Sequence, residues 1–159
     1  MNINIRNVSI EDLDAVSEVE AKCFPEAEAA SKASFEKRIK TFPENFYVAE
    51  VEGKIIGLIN GCITNEKTIY DELFSDVSLH IPNGDYQAIF GLDVIPDYRN
   101  QGIAAQLMSH MIEASRAANR KGLILTCKEH MIDYYSKFGF NNKGISNNNR
   151  SRDWADPSS

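Results

Sequence analysis

Residues 86 to 128 read strand, helix, strand, and that order restricts the fold more than any other feature of the chain. "DYQAIFGLDVI" has strand character, and "GLILTCK" at 122 to 128 is a short, almost continuous apolar run of the kind found in a buried strand. Between them Ile103, Leu107, Met111, Ala114 and Ala118 mark one apolar face of a helix. A crossover of this kind puts the first helical turn at the end of the preceding strand. There the chain reads "DYRNQGIAAQLM", with one glycine and two alanines where the helix begins. A helix N-terminus has unpaired N–H groups and roughly half a unit of positive charge, so it can hold an anion. Gly102 has no Cβ to block the backbone, Ala104 and Ala105 have little side chain, and Arg99 adds a permanent positive charge. "RNQGIA" therefore reads as a pyrophosphate cradle, with a tight strand-to-helix turn as the rival reading. The two nucleotide fingerprints, G-x-G-x-x-G and G-x-x-x-x-G-K-[ST], are absent.

The rest of the chain fills out an α/β layout. Ser9 and Asp12 have capping-box spacing, and Leu13, Val16, Val19 and Cys23 recur at helical intervals, which predicts a helix over about 10 to 24. A second helix starts at Ser31 or Ser34 and stops before Pro43. "NFYVAEVEGKIIGLINGCIT" predicts a hairpin turning at Glu52-Gly53. The long connection at 65 to 84 has room for a short helix in "IYDELFS". A shorter helix in "HMIDYYSKFG" and a strand from near Phe140 follow, whereas the tail "RSRDWADPSS" has little strand character.

The 159 residues, 43% hydrophobic, suit one globular domain over 1–159, the last stretch an irregular tail or short final strand. No apolar run approaches a membrane span and the N-terminus is polar, so the expected location is the cytosol. A net charge of -6 argues against nucleic acid as a partner and suits a cationic small substrate. Cys23, Cys62 and Cys127 are odd in number and far apart, which argues against a disulfide framework or a zinc site. His80, His110 and His130 lack metal-ligand spacing, so no metal is expected.

"GLDVIPDYRNQGIAAQLM" resembles the acyl-coenzyme A segment of GNAT N-acetyltransferases, whose pattern is [QR]-x-x-G-x-[GA], with Arg99, Gly102 and Ala104 at the defining positions. "IRNVSIEDLDAVSEVEAKCF" and "LTCKEHMIDYYSKFGF" extend the resemblance, the latter through Tyr135, Gly139 and Phe140 in a Y-x-x-x-G-F setting. Within the family the chain looks most like the bacterial relatives of arylalkylamine N-acetyltransferases. The resemblance implies the acyl-CoA N-acyltransferase fold, a mixed, mostly antiparallel sheet with a central splayed parallel strand pair and about four helices. It implies acetyl-CoA as cosubstrate, lying in the V between the strands near 86 to 95 and 122 to 128. Gln101, Gly102, Ile103 and Ala104 would meet the pyrophosphate with Arg99 nearby, Asn100 belongs to the same coenzyme-binding set, and an N–H of Leu92, Asp93 or Val94 would meet the oxyanion.

Acetyl transfer needs a deprotonated amine, a donor to the oxyanion and a proton for the departing thiolate. Tyr135 is the candidate acid and also touches the coenzyme in this reading, and Tyr134 is its competitor. The base is open: animal members of the branch carry two histidines on the strand where this chain has Ala88 and Phe90. Tyr86, two residues before Ala88, is the weak candidate for a base or water relay, and Asp71, Glu72 and Asp85 in or beside the long loop could act through water. The expected reaction is direct transfer to a primary amine, an aralkylamine or polyamine first. A protein N-terminus or lysine and a non-catalytic coenzyme-binding module are the alternatives. If the final strand is missing, an exposed edge implies a homodimer.

Overall fold

The computed structural model describes residues 2–145 and 153–156. These form two compact units, one of Met1–Gly61 with Gly91–Glu113 and one of Cys62–Phe90 with Ala114–Ser159. Among the described residues no helix is long and apolar enough to cross a membrane.

The first unit is a four-stranded antiparallel sheet in the order β1-β2-β3-β6, formed by β1 (Ile3–Asn7), β2 (Phe46–Val51), β3 (Lys54–Asn60) and β6 (Gly91–Val94). The β2–β3 hairpin turns at Glu52 and Gly53, as the sequence predicts, with φ of 52° and 80° at the two central residues. Helix α1 (Leu13–Cys23) lies against β3 and β6, and α2 (Lys32–Thr41) against α1. Asp12 reaches back as a capping-box residue does and accepts the Ser9 N–H at 2.8 Å, while its own N–H donates to the Ser9 carbonyl at 2.9 Å. Ser31 caps α2 by accepting the Ser34 N–H at 3.1 Å. Both strands of the hairpin are buried along nearly their whole length, as in a sheet covered on two faces. Phe35, Phe42, Phe46, Ile56, Leu58 and Ile59 fill the α1–α2 side and the sheet, all fully buried. A Cβ built at Gly57 would reach Leu107 on α4 (Ile103–Ala117), which covers the other face. Of the predicted stripe on α4, Ile103, Leu107 and Met111 are buried and Ala114 half-buried; Ala118 is exposed and lies beyond the helix end.

The second unit is a five-stranded sheet in the order β4-β5-β7-β9-β8: β4 (Ile63–Thr64), β5 (Tyr86–Ile89), β7 (Gly122–Cys127), β8 (Asn141–Ile145) and β9 (Asp153–Asp156). The predicted parallel pair is β5–β7, in register from Tyr86↔Gly122 to Ile89↔Leu125, and the other pairings are antiparallel. The segment read as one strand over 86 to 95 breaks at Phe90. Its first part hydrogen-bonds β7 and its second part β3. Helix α3 (Asp71–Ser75) forms inside the long connection and α5 (Ile132–Ser136) near the end, which makes five α-helices among the described residues, against the expected four or so. Helix α3 is held by Phe74, whose ring lies 4.9 Å from that of Phe90. Arg120 donates to the Pro82 and Gly84 carbonyls at 3.1 and 2.7 Å, and His80 Nδ1 accepts the Ile63 N–H at 3.0 Å, so the loop is fastened at its C-terminal end. The short final strand is present: β9 pairs with both β7 and β8, and the homodimer loses the missing strand on which that expectation rested.

Asp12 is an acid-sensitive point of the first unit. The Arg6 guanidinium, donating at 2.8 and 3.0 Å, holds its carboxyl below the usual carboxylate range; burial opposes this, and the Ser9 N–H adds to it. Because the folded value lies below the unfolded one, the pair stabilises fully above about pH 4, and its contribution is lost as pH falls through the depressed value. Denaturant midpoints of the wild type should drop more steeply below about pH 4 than those of Asp12→Asn, which should be less stable at neutral pH.

Candidate active site

The site on the first unit is built on β6, which ends its sheet and so has one edge facing away from β3. Ile95 donates its N–H to the Ile56 carbonyl at 3.0 Å. Antiparallel pairs alternate between hydrogen-bonded and non-hydrogen-bonded, so with the register Leu58↔Asp93 and Ile59↔Leu92 the residues bonded to β3 are Gly91, Asp93 and Ile95. The backbone groups of Leu92 and Val94 therefore face outward. This separates the three oxyanion candidates: Leu92 and Val94 can present an N–H at the free edge, whereas the Asp93 N–H is directed to Leu58. Asp93 also has a buried side chain, 1% exposed, which its place in an apolar run did not announce.

At the end of β6 the outward Val94 carbonyl accepts the Arg99 Nε–H at 2.9 Å and the Cys23 thiol at 3.4 Å. Arg99 thus folds back on the strand and closes the turn that precedes α4. Burial raises the Cys23 thiol, nearby Asp93 raises it further, and Arg99 opposes both. Asn100 and Gly102 have φ of 62° and 79°, two left-handed residues flanking Gln101, and Gln106 makes the first helical bond to the Gly102 carbonyl at 3.1 Å. The N–H groups of Ile103, Ala104 and Ala105 therefore precede the helical ladder. A Cβ built at Gly102 would meet nothing within 4 Å, so the approach to these groups is open. Arg99, Asn100, Gln101 and Gly102 are exposed, Ala104 half-buried, and Ile103 anchors the turn in the core at 1% exposure. The sequence reading brings all these residues together; the left-handed Asn100 is the part it missed.

The remaining candidates belong to the second unit. Tyr86 is buried at 7% exposure in β5, between Thr64 and Gly122 in the ladder. Ala88 is fully buried, and its neighbour Gln87 turns its amide to the Cys62 and Ala88 carbonyls at 3.2 and 2.7 Å. Tyr135 is half-buried in α5, its ring edge-on to Tyr134 at 5.2 Å and to Phe140 at 6.0 Å. Burial raises the Tyr134 phenol. Of the acidic groups, Asp85 pairs with Lys121 at 3.4 Å and Asp76 accepts the Ser78 N–H at 3.0 Å. In the first unit, His110 packs edge-on against Tyr47 at 4.5 Å. Among the described residues no three His, Cys, Asp or Glu side chains gather as a metal site.

The chain matches the family described as acetyltransferase (GNAT) over residues 13–140. It belongs to the GNAT family. Among curated relatives, this GNAT chain is 27% identical over 128 residues to YhcX of Bacillus subtilis (strain 168), described as a probable hydrolase, covering 76% of this chain and 25% of the relative. It is 29% identical over 122 residues to YkwB of the same organism, described as an uncharacterized N-acetyltransferase, covering 70% of this chain and 54% of the relative. The chain thus spans about a quarter and about half of these relatives. The fold is shared with the GphF GNAT-like decarboxylase solved with isobutyryl-CoA, at a TM-score of 0.80, 21% identity and 96% and 97% coverage of the two chains. PaiA N-acetyltransferase of Thermoplasma acidophilum, solved with coenzyme A, shares it at a TM-score of 0.75, 19% identity and 98% coverage of both chains.

Gly102→Ala should lose about 1 kcal/mol of stability from the left-handed φ alone, since the added methyl has open space. Denaturant unfolding reads this, and a loss above about 3 kcal/mol would mean that the turn depends on contacts this geometry lacks.

Proposed function

We propose that this GNAT chain is an acetyl-CoA-dependent N-acetyltransferase that transfers acetyl to a primary amine by direct attack in a ternary complex. The observation that carries the reading is the free edge of β6 running into the open α4 N-terminus at Gly102. An extended chain of amides pairs with such an edge, and an anion sits on the helix start. In this reading the outward backbone of Leu92 and Val94 meets the pantetheine amides and the thioester oxygen. Residues Asn100 to Ala104 meet the pyrophosphate, and Arg99 holds the turn in shape for it.

The chemistry then follows. The amine nitrogen attacks the carbonyl carbon, the oxyanion accepts an outward N–H of β6, and the C–S bond breaks with its electron pair on sulfur. Tyr135 is our candidate for the group that gives the sulfur a proton, which its phenol then recovers from the attacking nitrogen. Tyr86 stays a weak candidate for relay, because its burial in the β5 ladder suits packing equally well. The net charge of -6 favours a cationic acceptor, and aralkylamines and polyamines head the panel. The second reading, a coenzyme-binding module without turnover, is favoured by the buried Ala88 at the strand position where related enzymes carry a basic group.

Thiol release from acetyl-CoA, followed with phenethylamine, tryptamine, spermidine and a lysine-bearing peptide, tests both. Transfer is expected with an amine, and Tyr135→Phe should lower kcat on the order of 100-fold while coenzyme A binding is kept. Binding without release for every acceptor would favour the module.

A further inference from the structure

The β2–β3 ladder is out of step by one residue near its turn. Ala49 faces Gly57 and Glu50 faces Ile55, so Ile56 is an extra residue in β3. A Cβ on Gly57 points to Leu107 of α4, and in an unbroken strand Ile55 would share that face. The bulge turns Ile55 to the α1 side instead, as bulges do when they re-aim a side chain. There Ile55 joins Ala15 and Val19 of α1, and Ile95 just after β6, in lining a cleft of about 390 Å³ within the first unit. That is the size of a small-molecule site. Val19, Ile55 and Ile95 are buried and Ala15 is half-buried, so the floor is apolar.

Part of the wall is made of groups that satisfy one another. Arg6 donates to Asp12 at 2.8 and 3.0 Å, to Glu50 at 3.3 and 3.4 Å and to the Asn7 carbonyl at 3.0 Å, which engages every N–H of its guanidinium. Four exposed charged residues of the same cleft differ: Glu11 before α1, Glu18 and Lys22 on α1, and Lys54 at the start of β3. Among the described residues none of the four has an ion pair or a side-chain hydrogen bond. Glu18 and Lys22 stand at the spacing where such residues pair along a helix, and they do not pair. Ala15, Glu18 and Lys22 share the helix face that lines the cleft, and Lys54 lines it from the sheet. An apolar floor beneath two free anions and two free cations complements a small molecule with one charge of each sign and an apolar group. An inorganic anion would leave the floor and the glutamates unmatched, and a simple amine would leave the lysines unmatched.

We propose that this cleft is a second ligand site and takes an apolar α-amino acid as its zwitterion. The ammonium meets Glu18, the carboxylate meets Lys22 and Lys54, and the side chain lies on Val19, Ile55 and Ile95. Glu18 and Lys22 are one helical turn apart, about 6 Å along the axis, which suits the two neighbouring charges of an amino acid. The site binds its ligand without a covalent step. It does not rest on the transferase reading, because none of its residues meets the coenzyme in that reading.

Calorimetric titration of the full chain with L-phenylalanine, and with 3-phenylpropionate, which lacks the ammonium, tests the site; coenzyme A is titrated in parallel and circular dichroism melts report folding. The wild type should bind phenylalanine about 10-fold more tightly than 3-phenylpropionate. Glu18→Gln should remove that difference, whereas Lys54→Met should weaken both ligands about 10-fold, a split that a merely structural role would not produce. Ala15→Leu fills the cleft and should abolish binding of both. If it does not fold, the two exposed positions, Glu18 and Lys54, decide the matter. A wild type that shows no saturable binding of phenylalanine, or equal phenylalanine affinity in the wild type, Glu18→Gln and Lys54→Met, overturns the site and leaves the transferase reading standing. Weaker coenzyme A binding in Glu18→Gln or Lys54→Met would give the cleft to the coenzyme and overturn the proposal as well.

Discussion

The hydrogen bond from Ile95 to the Ile56 carbonyl sets the parity of the β3–β6 ladder, and through it which amides of β6 face outward. A shift of one residue would turn Leu92 and Val94 inward and present Asp93 at the edge, with its carboxylate swung to the α4 face. The same parity puts Gly91 and Asp93 over α1, where Glu20 and Asn60 meet them, and Val94 over α4. The open edge and the buried polar side chains around Gly91 are thus two consequences of one register.

Several polar groups drawn into this unit have fixed partners. Arg38 bonds Asn60, Glu20 bonds the Ala30 backbone, and Arg6 bonds both Asp12 and Glu50. Such groups are costly to desolvate and are tolerated when their hydrogen bonds are made by rigid elements. Here those elements are α1, α2, the turn before α1 and the strands β1, β2 and β3. The turn after β6 is held differently, by Arg99 on the Val94 carbonyl and by Ile103 in the core, which leaves its exposed backbone directed outward.

Much of this was legible in the chain. The α1 and α2 boundaries, the Glu52-Gly53 hairpin, the strand at 122 to 127 and the turn at Gly102 follow from caps, periodicity and glycine placement. Glu20 carried a signal that could have been read, since it falls four residues after Val16 on the stripe that otherwise faces the core. Asp93 and Asn60 carried only a weaker one, a polar side chain inside an apolar strand run. The break at Phe90 and the final strand at Asp153–Asp156 were not legible, because each depends on which partner a short segment finds.

The sequence by itself determined the local elements, the small-residue helix start and the family, because caps, apolar periods and the spacing of Arg99, Gly102 and Ala104 are properties of neighbours along the chain. Tertiary structure alone decided which N–H groups of β6 face outward and which buried polar side chains lie around Gly91. Both depend on strand register and on helix α1 lying across β3 and β6, and these bring together residues 20, 60, 91 and 93 that no local pattern links.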